Sequence, residues 1–268
     1  MDESQLRKIL AEVLIPDLRW LVETGSTMDD AARWVAEGAP DGALVLADSQ
    51  TAGRGRLQRA WVTRPGAALA FSLILRPNPA EQPLAAFFSP LAGLALTDAL
   101  AEFGGQAQIK WPNDVLLNGR KTAGILVEAA WNGSALEAVV IGVGVNVTRD
   151  SVPPASELRF PATCVEEGLG RVVDRFQLLK RILFHLAARR QELGKAGFLA
   201  DWEERLAFRG QQVVISDQGD EEKFGKLLGI TTDGHLRILG ADGVESIVIA
   251  GDVSLRPAAG SVLGGAGC

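Results

Sequence analysis

Only two cysteines, Cys164 and Cys268, and two histidines, His185 and His235, occur in 268 residues. The cysteines are far apart and one is the last residue, so neither a disulfide framework nor a thiolate metal site is supported. Two histidines cannot build a multi-histidine metal centre. No uninterrupted apolar run reaches the roughly 18 residues of a membrane span. Residues 1–15 carry Asp2, Glu3 and Glu12 and lack a signal-peptide pattern. The cytoplasm is therefore the expected compartment. Positive charge is also in deficit, with a net charge of −6, which argues against nucleic acid as the main partner.

What is present suits a soluble globular protein. Apolar residues make up 47% and charged residues 22%, enough for a real core, and the length allows one large domain plus a small one. Charge is unevenly spread. Residues 49–64 hold Arg54, Arg56, Arg59 and Arg64 with no acid, whereas residues 211–256 hold eight acids against four Lys and Arg. A cationic segment in an acidic chain suggests a site for a small anion.

Lys110-Trp111-Pro112-Asn113-Asp114, followed by Lys121, is the most informative stretch. Asn118-Gly119 fits a two-residue type I′ turn, which pairs Leu116 with Lys121 and Asp114 with Ala123. A second turn at Asn132-Gly133 would set Lys121 against Gly144 and Ala123 against Gly142. Period-2 alternation adds Asn146 to that face. The expected result is a patch bare of side chains, rimmed by Lys121, Asp114 and Asn146. A bulge in either turn would flip this parity.

Along the chain, residues 1–15 read as a short amphipathic helix and Trp20–Glu23 as a strand. Ser26 or Thr27 caps a helix that ends before Gly38. As a plain cap this pair needs no function. Strands follow at Ala43–Ala47 and Leu69–Leu75, then a long apolar helix over Leu84–Phe103. A meander of Gln108–Leu117, Lys121–Ala130 and Ala135–Val147 comes next. Beyond a loop at Ser151–Pro161 come helices Val173–Leu193 and Gly197–Leu206. From Arg209 short strands recur at Gln212–Ser216, Lys223–Ile230, Leu236–Leu239 and 245–250, the pattern of a small all-β barrel.

Gln50-Thr51-Ala52-Gly53-Arg54-Gly55-Arg56 joins a strand to a glycine-loosened loop. Successive N–H groups there can cradle an anion, and guanidiniums pair with carboxylate or phosphate. The loop lacks the Gly-Lys-Ser/Thr end of a P-loop, and Gly142-Val143-Gly144 opens no helix, so a dinucleotide fold is not supported. Trp61 and Trp111 fit either the core or a stack on a flat ligand. Several cations, a carboxylate able to hold Mg²⁺, and no nucleophilic triad or histidine base suit the joining of two anions, such as carboxylate activation by ATP.

Gly53-Arg54-Gly55-Arg56, Lys110 to Asp114, Lys121-Thr122-Ala123-Gly124-Ile125-Leu126 and Gly142-Val143-Gly144-Val145-Asn146 together resemble biotin protein ligases, in family order, over about residues 20–256. The resemblance implies an α/β catalytic domain with a mixed sheet and flanking helices, plus a small SH3-like β-barrel. With the pattern of the residues on either side, the expected organisation is a leader helix over 1–18, a catalytic domain over 19–208, the SH3-like domain over 209–257 and a flexible Gly- and Ala-rich tail over 258–268. The chain is similar to the monofunctional class, without the DNA-binding module of repressor-type members.

The implied reaction forms biotinyl-5′-AMP from biotin and ATP, with Mg²⁺, then transfers biotin to a lysine of a biotin carboxyl carrier protein. Ser26, Thr27, Met28, Gln50, Arg54, Gly55, Arg56, Lys121, Gly124 and Gly142 would hold biotin. Arg56, Arg59, Trp61, Lys110, Asn113 and Asn146 would serve ATP, and Asp114 the metal. Lys121, Arg56 and Lys110 are the implied catalytic residues. Met28 departs from the usual Asn, and Leu57-Gln58 from the usual Arg/Leu-Gly. Neither nucleic acid nor a membrane is expected as a partner, and the oligomeric state stays open between monomer and homodimer. The rival readings are a lipoate or octanoate ligase or transferase of related fold, and a non-enzymatic biotin-sensing regulator.

Overall fold

The computed structural model describes residues 2–13, 15–216, 222–249 and 254–258. Its larger sheet has seven strands: β1 (Leu18–Thr24), β2 (Ala43–Gln50), β3 (Ala68–Leu75), β4 (Ala107–Lys110), β5 (Asp114–Leu117), β6 (Arg120–Asn132) and β7 (Ala135–Asn146). Their spatial order is β1-β2-β3-β7-β6-β5-β4. β1 and β2 run parallel, and every other neighbouring pair is antiparallel. The sheet is therefore mixed, as the resemblance implies.

Among the described residues six α-helices flank the sheets: α1 (Glu3–Ile9), α2 (Thr27–Ala36), α3 (Phe88–Glu102), α4 (Val165–Leu169), α5 (Arg175–Arg190) and α6 (Ala196–Glu204). β3 is buried at every residue because the sheet is covered on both faces. Leu69, Phe71 and Leu73 point into a large cluster with α3 and α5. Ile74 and Val45 point the other way, into a smaller cluster beneath α2 that includes Met28, Ala31 and Trp34. The stretch Gln82–Glu102 is long and apolar enough to cross a membrane, but two-thirds of it is buried in this core.

Several expected elements differ in detail. The helix expected over 84–103 starts as a 3₁₀ segment, Gln82–Phe87, before α3. The strand expected over 108–117 is two strands, β4 and β5, turned by Trp111–Asn113. Pro112 has no N–H to give to a ladder, so the strand cannot run through it. α4 was not anticipated.

The second sheet contains β8 (Gln212–Ser216), β9 (Glu222–Ile230), β10 (Leu236–Leu239), β11 (Glu245–Val248) and β12 (Ser254–Pro257) in the order β11-β10-β9-β8-β12. It packs on the Lys110–Trp111 corner: Trp111, 1% exposed, donates its indole N–H to the Gly234 carbonyl at 3.1 Å. The tail from 259 onward lies outside the described residues.

α3 and α5 are also tied by charge. Glu102 accepts hydrogen bonds from Arg181 and lies 2.9 Å from His185 Nε2. Arg181 above all, with His185, lowers the Glu102 carboxyl from the ordinary 4.5 to about 2. A depressed carboxyl stabilises the fold above its unfolded value and loses that contribution as pH falls through the folded one. Glu102→Gln is therefore expected to lower thermal stability at neutral pH. The gap to wild type should close between about pH 4.5 and 2, as measured by melting across that range.

Candidate functional site

The face expected to be bare exists, but by a different register. The Asn118-Gly119 turn has positive φ at both residues, 52° and 73°, as type I′ demands, and Leu116 pairs with Lys121. Beyond it Val115 pairs with Ala123 and Asp114 with Gly124, so Thr122 is an extra residue on β6. In the next hairpin Asn132 pairs with Ala135, so Gly133-Ser134 forms the turn, one residue later than expected. A second irregularity at Ala130–Trp131 completes an odd shift.

The expected pairs Lys121–Gly144 and Ala123–Gly142 are thus replaced by Gly124–Gly144 and Leu126–Gly142. Lys121 bridges Ala162 instead. The Thr122 bulge reverses parity a second time, so Lys121 still reaches Asp114. Ala123, wholly buried, belongs to the core on the other face.

The outcome is a row across five strands: Ala47, Ala70, Gly144, Gly124, Asp114. Nothing larger than a methyl group rises from the first four, and a carboxylate closes the end. The adjacent row is Val45, Ser72, Gly142, Leu126. The floor is not empty, however. The Trp61 indole lies directly on Gly144, and its ring would be 3.1 Å from a Cβ at Gly124. The Met28 thioether lies on Gly142 in the same way. The glycines clear room for these two side chains, which then become walls of the cleft.

Trp61 is carried there by an ordered flap. Gln50 bridges Thr63 and Arg54 bridges Ala60, while Trp61 N–H donates to the Gly53 carbonyl at 2.8 Å. A Cβ at Gly53 would sit 2.6 Å from the Trp61 carbonyl, so this position requires glycine. Arg54 crosses to Asp29 on α2 at 2.5 Å and to Glu128 on β6 at 3.2 Å. The local positive charge is therefore partly cancelled, and Arg54 acts as a strap. Arg54→Met is expected to raise amide exchange of residues 53–63 about fivefold, since a partly exposed ion pair contributes about 1 kcal/mol. Exchange mass spectrometry measures this directly.

At the other end of the cleft, Ser26 occupies the N-cap position of α2 but makes no side-chain cap bond. Its hydroxyl is buried without a partner, so it is not the plain cap that sequence alone allowed. Thr27 donates to Gln50 Oε1 from its backbone at 2.9 Å and its hydroxyl at 3.1 Å. Gln50 Nε2 donates to Thr63 at 3.2 Å. Ser72, fully buried on β3, donates to the Thr27 hydroxyl at 2.9 Å. Ser72→Ala is expected to weaken binding of a ligand held by Thr27 by about tenfold at most, one neutral hydrogen bond. Calorimetric titration with ligand is the measurement.

Charge concentrates at Asp114. Its Oδ1 is 2.6 Å from the Lys121 ammonium and its Oδ2 is 3.2 Å from that of Lys110. Burial opposes ionisation of Asp114, but Lys121 and Lys110 outweigh it and hold the carboxyl below its ordinary range. Burial, reinforced by Lys121, lowers Lys110, with Asp114 opposing. Lys110 also lies 4.9 Å from the centre of the Phe160 ring and Lys121 5.7 Å from that of Trp61.

Every residue that the resemblance assigns to biotin, ATP or the metal, including Asn113, Arg56, Arg59 and Asn146, lines one cleft of about 460 Å³. Arg56 reaches Asn113 at 3.5 Å. Neither Ser72 nor the segment Phe160–Thr163 is marked out by sequence, and only Phe160 and Pro161 of that segment fall in the expected Ser151–Pro161 loop. Lys121 N–H donates to Pro161 O, and Thr163 N–H donates to Lys121 O, both at 2.8 Å. Asn146 Nδ2 donates to Thr163 O at 3.2 Å. Only the Pro161-Ala162-Thr163 sequence after a proline-rich stretch could have hinted at this extended segment.

The donor set does not fit a metal held by the protein. Among the described residues no three His, Cys, Asp or Glu side chains gather at one point. Both Asp114 oxygens already receive ammonium groups.

A mixed sheet with this cationic, glycine-floored cleft, packed on a small antiparallel sheet, has the charge and space to take an anionic ligand. Comparison with known proteins makes the class specific. Residues 23–146 match the biotin/lipoate A/B protein ligase family, and residues 208–256 match the biotin protein ligase C-terminal domain.

A biotin–[acetyl-CoA-carboxylase] ligase of Paracoccus denitrificans is 38% identical, over 86% of this chain and 97% of its own length. The bifunctional ligase/repressor BirA of Bacillus subtilis is 34% identical, over 95% of this chain and 79% of its length. The structure of an Aquifex aeolicus biotin protein ligase with biotin and ATP superposes with a TM-score of 0.76 at 31% identity, covering 90% of this chain and 99% of that one. The chain belongs to the biotin/lipoate A/B protein ligase family, on its biotin protein ligase branch.

Proposed function

We propose that this protein is an ATP-dependent biotin ligase that modifies the carrier domain of acetyl-CoA carboxylase. The observation that carries the reading is the placement of two lysines and Asp114 at the end of the glycine row, across the cleft from the Ser26–Thr27–Gln50 cluster. In the first step a biotin carboxylate oxygen attacks the α-phosphorus of ATP, and the bond to pyrophosphate breaks. In the second, a carrier lysine amine attacks the acyl carbon, the bond to AMP breaks, and the amine sheds a proton.

Lys121 would neutralise the carboxylate and the α-phosphate together, which the first step needs because both are anions. Ser26, with its unpartnered hydroxyl, Thr27 and Gln50 would address the ureido end of biotin, and Met28 would pack its apolar side. Gly55 and the flap arginines, Arg56 and Arg59, would cover the adenylate. Lys110, Asn113 and Asn146 would serve the nucleotide, with the open face of Trp61 beside the adenine. Mg²⁺ would arrive as the counter-ion of ATP, its usual state in phosphoryl chemistry.

The test is incubation with biotin, labelled ATP and Mg²⁺, followed by addition of a carrier domain. Biotinyl-AMP and then labelled carrier are expected. Equal or better use of lipoate would favour the related lipoate ligases instead. Tight DNA retention at physiological salt without adenylate formation would favour a regulator.

A further inference from the structure

We propose that Asp114 is a positioning residue that fixes Lys110 and Lys121 at one point, and that it does not ligate the divalent cation. The proposal rests on the ligase reading above. A lysine ammonium sits on a flexible four-carbon stem and does not define its own position. Here each oxygen of one buried carboxylate, 8% exposed, takes one ammonium, at 2.6 Å from Lys121 and 3.2 Å from Lys110. The backbone supports the arrangement: Lys110 and Asp114 are directly opposed across the β4–β5 turn, and the Thr122 bulge turns Lys121 toward them.

The same geometry is a poor place for a dication. Mg²⁺ at Asp114 would stand beside two positive charges in a partly desolvated site, or would have to displace an ammonium that the reaction needs. Asp114 lies at the end of the row, and the Lys121 ammonium is 3.5 Å from where a Gly124 Cβ would be. The clamp therefore holds this cation over the floor where the two anions meet. A misplacement of about 1 Å at such a point costs on the order of a hundredfold in rate.

The experiment has two arms, run on the full chain. In the first, Mn²⁺ is titrated into wild type without nucleotide and followed by electron paramagnetic resonance. No stoichiometric binding is expected, and a site that disappears in Asp114→Asn would overturn the proposal. In the second, adenylate formation is measured against Mg²⁺ for wild type and Asp114→Asn. The expected result is a kcat lower by ~10–100-fold, with half-saturating Mg²⁺ within about twofold of wild type and no recovery in excess Mg²⁺. Unchanged kcat, or a Mg²⁺ requirement raised about tenfold with kcat restored at saturation, contradicts it. If circular dichroism shows that Asp114→Asn does not fold, Asp114→Glu is read by the same criteria. Failure of wild type to form any biotinyl-AMP would instead remove the ligase reading, so the two failures are distinct.

Discussion

Lys121→Ala is expected to lower adenylate formation by ~10²–10³-fold, the loss that follows removal of one preorganised charge partner from a developing anionic centre. The fold should survive. The Lys121 backbone keeps its bonds to Pro161 and Thr163, and Asp114 keeps Lys110. The Lys121 side chain is 29% exposed, so its loss removes little packing. Asp114 would be left with half of its compensation, at a cost of about 1–3 kcal/mol, which moves the melting point of a chain this size by several degrees. Pyrophosphate exchange together with calorimetry separates the two effects.

Gly144→Val carries the second large effect. Its side chain would enter the space of the Trp61 indole, which already lies on Gly144. Overpacking of this kind costs about 1–3 kcal/mol, and the structure can relieve it by lifting Trp61. Trp61 is tied to Gly53, so the flap should lift with it and expose the cleft. kcat/KM for adenylate formation is expected to fall by about a hundredfold, with a red shift in tryptophan emission. Gly197→Ala is the control: nothing lies within 4 Å of its Cβ position on α6. It should leave activity unchanged and stabilise slightly, as alanine does in helices.

Much of this was legible in the sequence because strong local signals agree with the fold. β8 occupies Gln212–Ser216 as expected, since a β-branched run between turn residues has few alternatives. The type I′ turn at Asn118-Gly119 follows from the φ requirement alone. Register was not legible beyond the first pair, because the Thr122 bulge and the turn at Gly133-Ser134 depend on packing against neighbouring strands.

The Thr122 bulge and the irregularity at Ala130–Trp131 each reverse parity, so the polar face was foreseen through pairings that do not occur. Occupancy of the floor was also hidden. Trp61 comes from a distant flap and Met28 from a helix, and neither spacing points to Gly144 or Gly142. Ser72 reads as one more residue of a buried strand until Thr27 is seen beside it. Trp111 could not be separated from Trp61 by sequence, and its burial with the bond to the Gly234 carbonyl shows that it is core.

In the proposed reaction the Lys110–Asp114–Lys121 cluster on the glycine row is where a carboxylate and ATP are joined. Biotin-dependent exchange of labelled pyrophosphate into ATP, compared for wild type and Lys121→Ala, tests it most directly. Ready exchange by wild type is expected, with loss by at least ~10²-fold in the folded variant. Exchange by the variant at close to the wild-type rate would contradict it.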